Sequence, residues 1–95
     1  MLERDYQKKL VQKLKKIFPG SYVIKNDAQL KQGIPDLLVL YNNKWAALEV
    51  KQSEKASHRP NQDYHVDNMN SMSYAAFIYP ENEEKIFSEL KEVFA

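Results

Sequence analysis

Apolar side chains recur at Tyr6, Leu10, Val11, Leu14, Ile17 and Phe18, the three-to-four spacing of a single helix face. Pro19-Gly20 stops that helix. Tyr22-Val23-Ile24 predicts a short strand, and residues 26–35 (NDAQLKQGIP) a loop closed by Gly33 and Pro35. Two β-rich runs, Asp36 to Tyr41 (DLLVLY) and Trp45 to Lys51 (WAALEVK), flank Asn42-Asn43 and predict a hairpin. A polar, mostly basic loop over 52–60 leads into a helix starting near Pro60, a residue suited to a first turn. That helix should carry Val66, Met69 and Met72 inward. Tyr74 to Tyr79 (YAAFIY) predicts a buried strand stopped by Pro80. Asn82 is placed to cap a last helix with an acidic first turn and the stripe Ile86, Phe87, Leu90, Val93 and Phe94. The order α-β-β-β-α-β-α predicts an α/β fold: a mixed sheet flanked by helices on both faces, with a C-terminal helix.

At 95 residues the chain reads as one domain, 1–95. No apolar run approaches the ~20 residues of a membrane span and no leader pattern stands out, so a cytoplasmic protein without a membrane partner is the expectation. Cysteine is absent, which excludes disulfides, thiolate metal sites and cysteine nucleophiles. With two glycines in the chain there is no phosphate-cradling glycine loop, so no nucleotide cofactor is expected. The net charge of +1 hides an asymmetry. Residues 1–60 carry 12 Lys/Arg against 6 Asp/Glu, and residues 61–95 carry 2 against 7. Such a split suits a basic face meeting a polyanion, and equally two solvated helices of opposite sign.

The hairpin holds the informative chemistry. A two-residue turn at Asn42-Asn43 sets Tyr41 opposite Lys44 and, five steps back, Asp36 opposite Glu49. Directly opposed residues share a sheet face with Cβ atoms about 4.5–5.5 Å apart. Alternation adds Lys51 to the same side while Val50 points away. Opposed like charges destabilise a hairpin, and a divalent cation compensates them directly. Mg²⁺ is typically held by one or two carboxylates together with water and phosphate oxygens. A plainer account has Asp36 in a Pro-Asp turn and Glu49 paired with Lys51 on an edge strand.

Gly33-Ile34-Pro35-Asp36 followed by Glu49-Val50-Lys51 resembles the PD-(D/E)XK nuclease superfamily. The whole chain is similar to a minimal virus-type replication–repair nuclease (VRR-NUC) domain, whose pattern adds a glutamate before the first helix and a glutamine opening the next one; here these are Glu3 and Gln62. The resemblance implies a restriction-endonuclease-like αβββαβ core and a Mg²⁺- or Mn²⁺-dependent endonuclease acting on DNA, with a preference for branched or four-way junction structures; because 95 residues offer little surface for gripping a duplex, a homodimer is expected. It also implies a bacterial or phage-infected host cell. Asp36 and Glu49, with the Val50 carbonyl, would hold the metal. Lys51 would orient or deprotonate the attacking water and offset phosphate charge, with Gln62 and Glu3 completing the catalytic set. Asp5 competes with Glu3 for its role.

Gln62 lies one turn before Val66 on the inward face, where its amide can bridge the site lysine; it can equally serve the backbone of its own first turn. Lys55, His58 and Arg59, on the loop after the lysine-bearing strand, are candidate phosphate contacts. His58 and His65 do not form a zinc pair, lacking the spacing and the thiolates. The lysines of the first helix (Lys8, Lys9, Lys13, Lys15 and Lys16) read as solvated surface or as a second DNA-contacting flank. The alternative to an enzyme is a catalytically inactive nucleic-acid-binding or interaction module on the same fold.

Overall fold

The structure, a computed structural model, describes residues 1–95. The elements are α1 (Glu3–Ile17), β1 (Tyr22–Lys25), β2 (Leu37–Tyr41), β3 (Lys44–Val50), α2 (Pro60–Met72), β4 (Ala75–Ile78), a 3₁₀ turn (Pro80–Asn82) and α3 (Glu83–Val93). The four strands form one sheet in the order β1-β2-β3-β4. The first three are antiparallel neighbours, and β4 lies parallel to β3. A parallel neighbour requires a crossover, which α2 supplies. The architecture is the expected α/β one, with a mixed sheet flanked by helices and a C-terminal helix.

Alternation along the strands divides the core in two. One face sends Leu37, Val39, Ala46, Leu48, Val50 and Ile78 against Tyr6, Leu10 and Leu14 of α1 and Ile86 and Leu90 of α3, all buried. At one end of this layer Phe18, Tyr41 and Phe94 pack with ring centroids 5.1–5.7 Å apart. The opposite face is covered only over β3 and β4, where Ala47 and Ala75 let Val66 of α2 approach closely. The Tyr6 hydroxyl donates to Glu83 Oε2 (2.8 Å) and Lys13 Nζ to Glu83 Oε1 (2.6 Å), so α1 is clamped to the start of α3. Burial and the Glu83 carboxylate both push the Tyr6 phenol pKa upward. No helix is long and apolar enough to cross a membrane.

Two local expectations are corrected. Met72 is 69% exposed: each i+3 step rotates about 60° backwards around a helix, so two steps from Val66 carry the last residue of α2 off the seam. Asn82 occupies the N-cap position of α3, but its side chain makes no capping hydrogen bond there. Its Oδ1 accepts from the Tyr79 N–H and its Nδ2 donates to the Phe77 carbonyl, so it folds the 3₁₀ turn back onto the end of β4.

Candidate active site

The hairpin register is the one that turn length dictates. Leu37 pairs with Leu48 and Tyr41 with Lys44. Asn42 and Asn43 both take positive φ (51° and 56°), the left-handed pair whose twist matches the flanking strands. The Asn42 side chain anchors the turn by donating to the Phe94 carbonyl (3.0 Å). One position beyond Leu37↔Leu48 the same register sets Asp36 against Glu49. Asp36 Oδ2 accepts the Val50 N–H at 2.9 Å, and Asp36 and Glu49 line one cavity.

The loop before β2 is held by specific contacts. Asn26 Nδ2 donates to the Pro35 carbonyl and the Asn26 N–H to that of Asp36, both at 2.8 Å. Gly33 has φ +81°, and a Cβ there would sit 2.6 Å from Asn61 Cγ. A glycine is therefore required twice, for the backbone sign and for room against α2. The close approach seats the Pro-Asp segment against the first turn of the helix that carries Gln62. Asn61 Oδ1, buried beneath it, has no hydrogen-bond partner.

Gln62 ties the site together. Its Oε1 accepts from Lys51 Nζ (2.8 Å) and from the Arg59 N–H (3.1 Å), while its Nε2 donates to Glu49 Oε2 (3.1 Å). Both uses foreseen for this amide are realised by one side chain. Lys51 Nζ lies 3.8 Å from Glu49 Oε2, so the glutamine mediates the closest contacts of the buried cation with the carboxylate. Burial of Glu49, then the charge of Asp36, pushes its pKa up to about 8, against the opposing pull of Lys51. Glu3 is shifted upward too, by burial and by Asp36. The cavity holding these groups is about 510 Å³ and is lined by Glu3, Asp36, Glu49, Lys51, Arg59 and Gln62, with Gln52, Ala56 and Ser57 at its rim.

No family model, curated protein or solved structure matches the chain significantly.

Five residues singled out in the sequence, Glu3, Asp36, Glu49, Lys51 and Gln62, line this one cavity. Asp5 does not reach it. Of the three loop candidates, Arg59 faces the cavity, whereas Lys55 is exposed outside it. His58 is engaged elsewhere: its ring stacks on Phe77 (centroids 4.0 Å, 14° between planes) and its Nδ1 lies 3.1 Å from Asp63 Oδ1. It pins the loop onto β4. Sequence patterning gave no sign of Asn61 as the residue packed against Gly33, because that contact joins a loop and a helix distant along the chain.

The donor set suits a hard divalent cation. No three Asp, Glu or His side chains gather to form a complete all-protein cage. Two carboxylates, one buried with a pKa near 8, make a site short of positive charge. Oxygen donors and a two-carboxylate count match Mg²⁺ or Mn²⁺, which take water and phosphate oxygens for their remaining positions.

Proposed function

We propose that this chain is a divalent-metal-dependent endonuclease that hydrolyses DNA phosphodiester bonds. The observation that carries this is the convergence of Asp36 and Glu49 from the two sides of the hairpin into one cavity, with Lys51 and Gln62 alongside. Ionising the buried Glu49 beside the half-buried Asp36 is unfavourable in the folded protein, and a bound cation offsets that cost. The motif resemblance to VRR-NUC domains supports the same conclusion. Asp36, Glu49 and the Val50 carbonyl would hold Mg²⁺ or Mn²⁺. When bound, the ion supplies positive charge to phosphate oxygens and a more acidic water.

The chain's own residues do the rest. Lys51, 7% exposed, presents a cation whose direction is set by Gln62, so it can orient the nucleophile and offset charge growing on the phosphate without reorganising. Gln62 is a positioning residue, since it acts through Lys51 and Glu49. Arg59, at the mouth, offers a fork-shaped donor to a phosphate. Glu3 faces the same cavity and can take part through water.

Homodimer formation is supported by the uncovered half of the second sheet face. Tyr22 pairs with Leu40, and Ile24 is one alternation further along β1; the three are 69%, 37% and 41% exposed. This apolar surface on an open edge strand suits a second copy of the chain, which would bring two sites to two DNA strands. The deciding experiment incubates plasmid, linear duplex, single strand and four-way junction with Mg²⁺, Mn²⁺ or chelator. Cleavage should need the metal and should vanish in folded Asp36→Asn, Glu49→Gln and Lys51→Ala proteins. DNA binding with no cleavage under any metal would establish the inactive binding module instead.

A further inference from the structure

A second concavity, about 570 Å³, runs between α1 and β1 on the sheet face away from α2. Its floor is apolar, made by Val11, Val23 and Leu37, and its walls carry four cations, Arg4, Lys8, Lys15 and Lys25. No carboxylate lines it. None of the four cations is in a salt bridge, unlike Lys13 on the same helix, which is held by Glu83. Arg4 and Lys8 stand one turn apart, where like charges weaken a helix. An unneutralised cationic groove in a chain of net charge +1 calls for an anionic occupant.

The groove adjoins the carboxylate site. Glu3 lines the site cavity and Arg4, the next residue, lines the groove; Asp36 and Leu37 divide between the two in the same way. A shallow depression containing both Lys25 and Asp36 connects them. Its one other acid, Asp27, is turned to its own loop, accepting the Gln29 N–H at 2.8 Å. From Arg4 to Lys15 the groove spans eleven residues of α1, about 16 Å at 1.5 Å per residue. That length fits about four or five successive phosphates spaced about 3.4 Å along the axis of a helical strand.

We propose that the α1–β1 groove holds the phosphodiester backbone of the DNA substrate on one side of the bond to be cut, with Arg4, Lys8, Lys15 and Lys25 as phosphate contacts. The inference rests on the nuclease reading for the identity of the polyanion and goes beyond it in assigning these residues. Phosphate contacts position a strand without reading its sequence, so the groove contributes affinity and register.

The test compares wild type with a Lys8→Gln, Lys15→Gln, Lys25→Gln triple variant, checked for folding by circular dichroism. Lys85→Gln, Lys91→Gln on α3 is the control. Binding of a fluorescein-labelled duplex is measured by anisotropy in chelator across a salt series, so that no cleavage intervenes. Losing three contacts should lower the log K against log salt slope by about 2–3 and weaken binding about 10- to 100-fold at 0.1 M salt, whatever the DNA sequence. In Mg²⁺ the triple variant should show raised KM with kcat held. Wild-type affinity and slope in the triple variant would overturn the proposal, as would equal weakening by the α3 control. Binding of a polyglutamate peptide in place of DNA would overturn it too. If the groove variants weaken binding but wild type never cleaves, the groove stands and the nuclease reading falls. If wild type cleaves and the slope is unmoved, the reverse holds.

Discussion

Replacing Glu49 with glutamine in the metal-free protein removes an ionisation that folding makes unfavourable. Glu49 is 3% exposed, and burial followed by the Asp36 charge carries its pKa from an ordinary 4.5 to about 8. A carboxyl group raised in the folded state keeps its proton there between pH 4.5 and 8, while the unfolded chain has lost it. Stability is thus fully present below about pH 4.5, declines as pH rises through that window, and levels off above pH 8. Each pKa unit is worth about 1.4 kcal/mol, so the total is of the order of 3–5 kcal/mol, a large fraction of the about 5–15 kcal/mol typical of a domain. The assay is urea unfolding followed through Trp45, the single tryptophan, from pH 5 to 9 in chelator. The stability difference between Glu49→Gln and wild type should grow steadily in favour of the variant up to about pH 8. Glu3 is shifted in the same direction and is present in both proteins. Parallel curves across that range would refute the claim that Glu49 is buried beside Asp36 without adequate compensation.

Other consequences are equally concrete. Mg²⁺ at pH 8 should raise the melting temperature of wild type and leave Glu49→Gln and Asp36→Asn unmoved, because a ligand of the folded state alone stabilises it by mass action; differential scanning fluorimetry reads this. Gln62→Ala should lower kcat about 10- to 100-fold with binding retained, the scale of lost positioning contacts around a metal site, measured by steady-state cleavage. Gly33→Ala should destabilise by about 2–4 kcal/mol, since it combines a strained positive φ with overpacking against Asn61; chemical denaturation checks it. Tyr22→Glu on the bare sheet face should shift the protein to monomer in sedimentation equilibrium, with its far-ultraviolet spectrum intact.

The carboxylate pairing was legible in the chain because it depends on local chemistry alone. Two residues able to take positive φ fix the turn, the turn fixes the register, and a period of two fixes the face. Gln62 was legible for the same kind of reason, as one helical turn from Val66 determines its direction. The cationic groove was not. The spacing of Tyr6, Leu10 and Leu14 says which side of α1 is buried, but not that Lys25 on β1 faces Arg4, Lys8 and Lys15 across the open flank. The placement of His58 was illegible for a similar reason: its partner Phe77 lies beside Glu49 through the parallel β3–β4 register, a long-range pairing without a local signature. Asn82 has the composition of a cap, yet its side chain found closer partners behind it.

Asn42 and Asn43 touch no substrate, and they sit about 20 Å from the acid pair, six strand residues at about 3.3 Å each. Even so, they govern whether that pair exists. A single added residue at that bend would swing every side chain of one strand to the opposite surface, burying what should be wet and stranding Asp36 away from Glu49. The bend thus works like the pivot of a pair of tongs: its size, more than its chemical identity, decides whether the distant tips can close on anything.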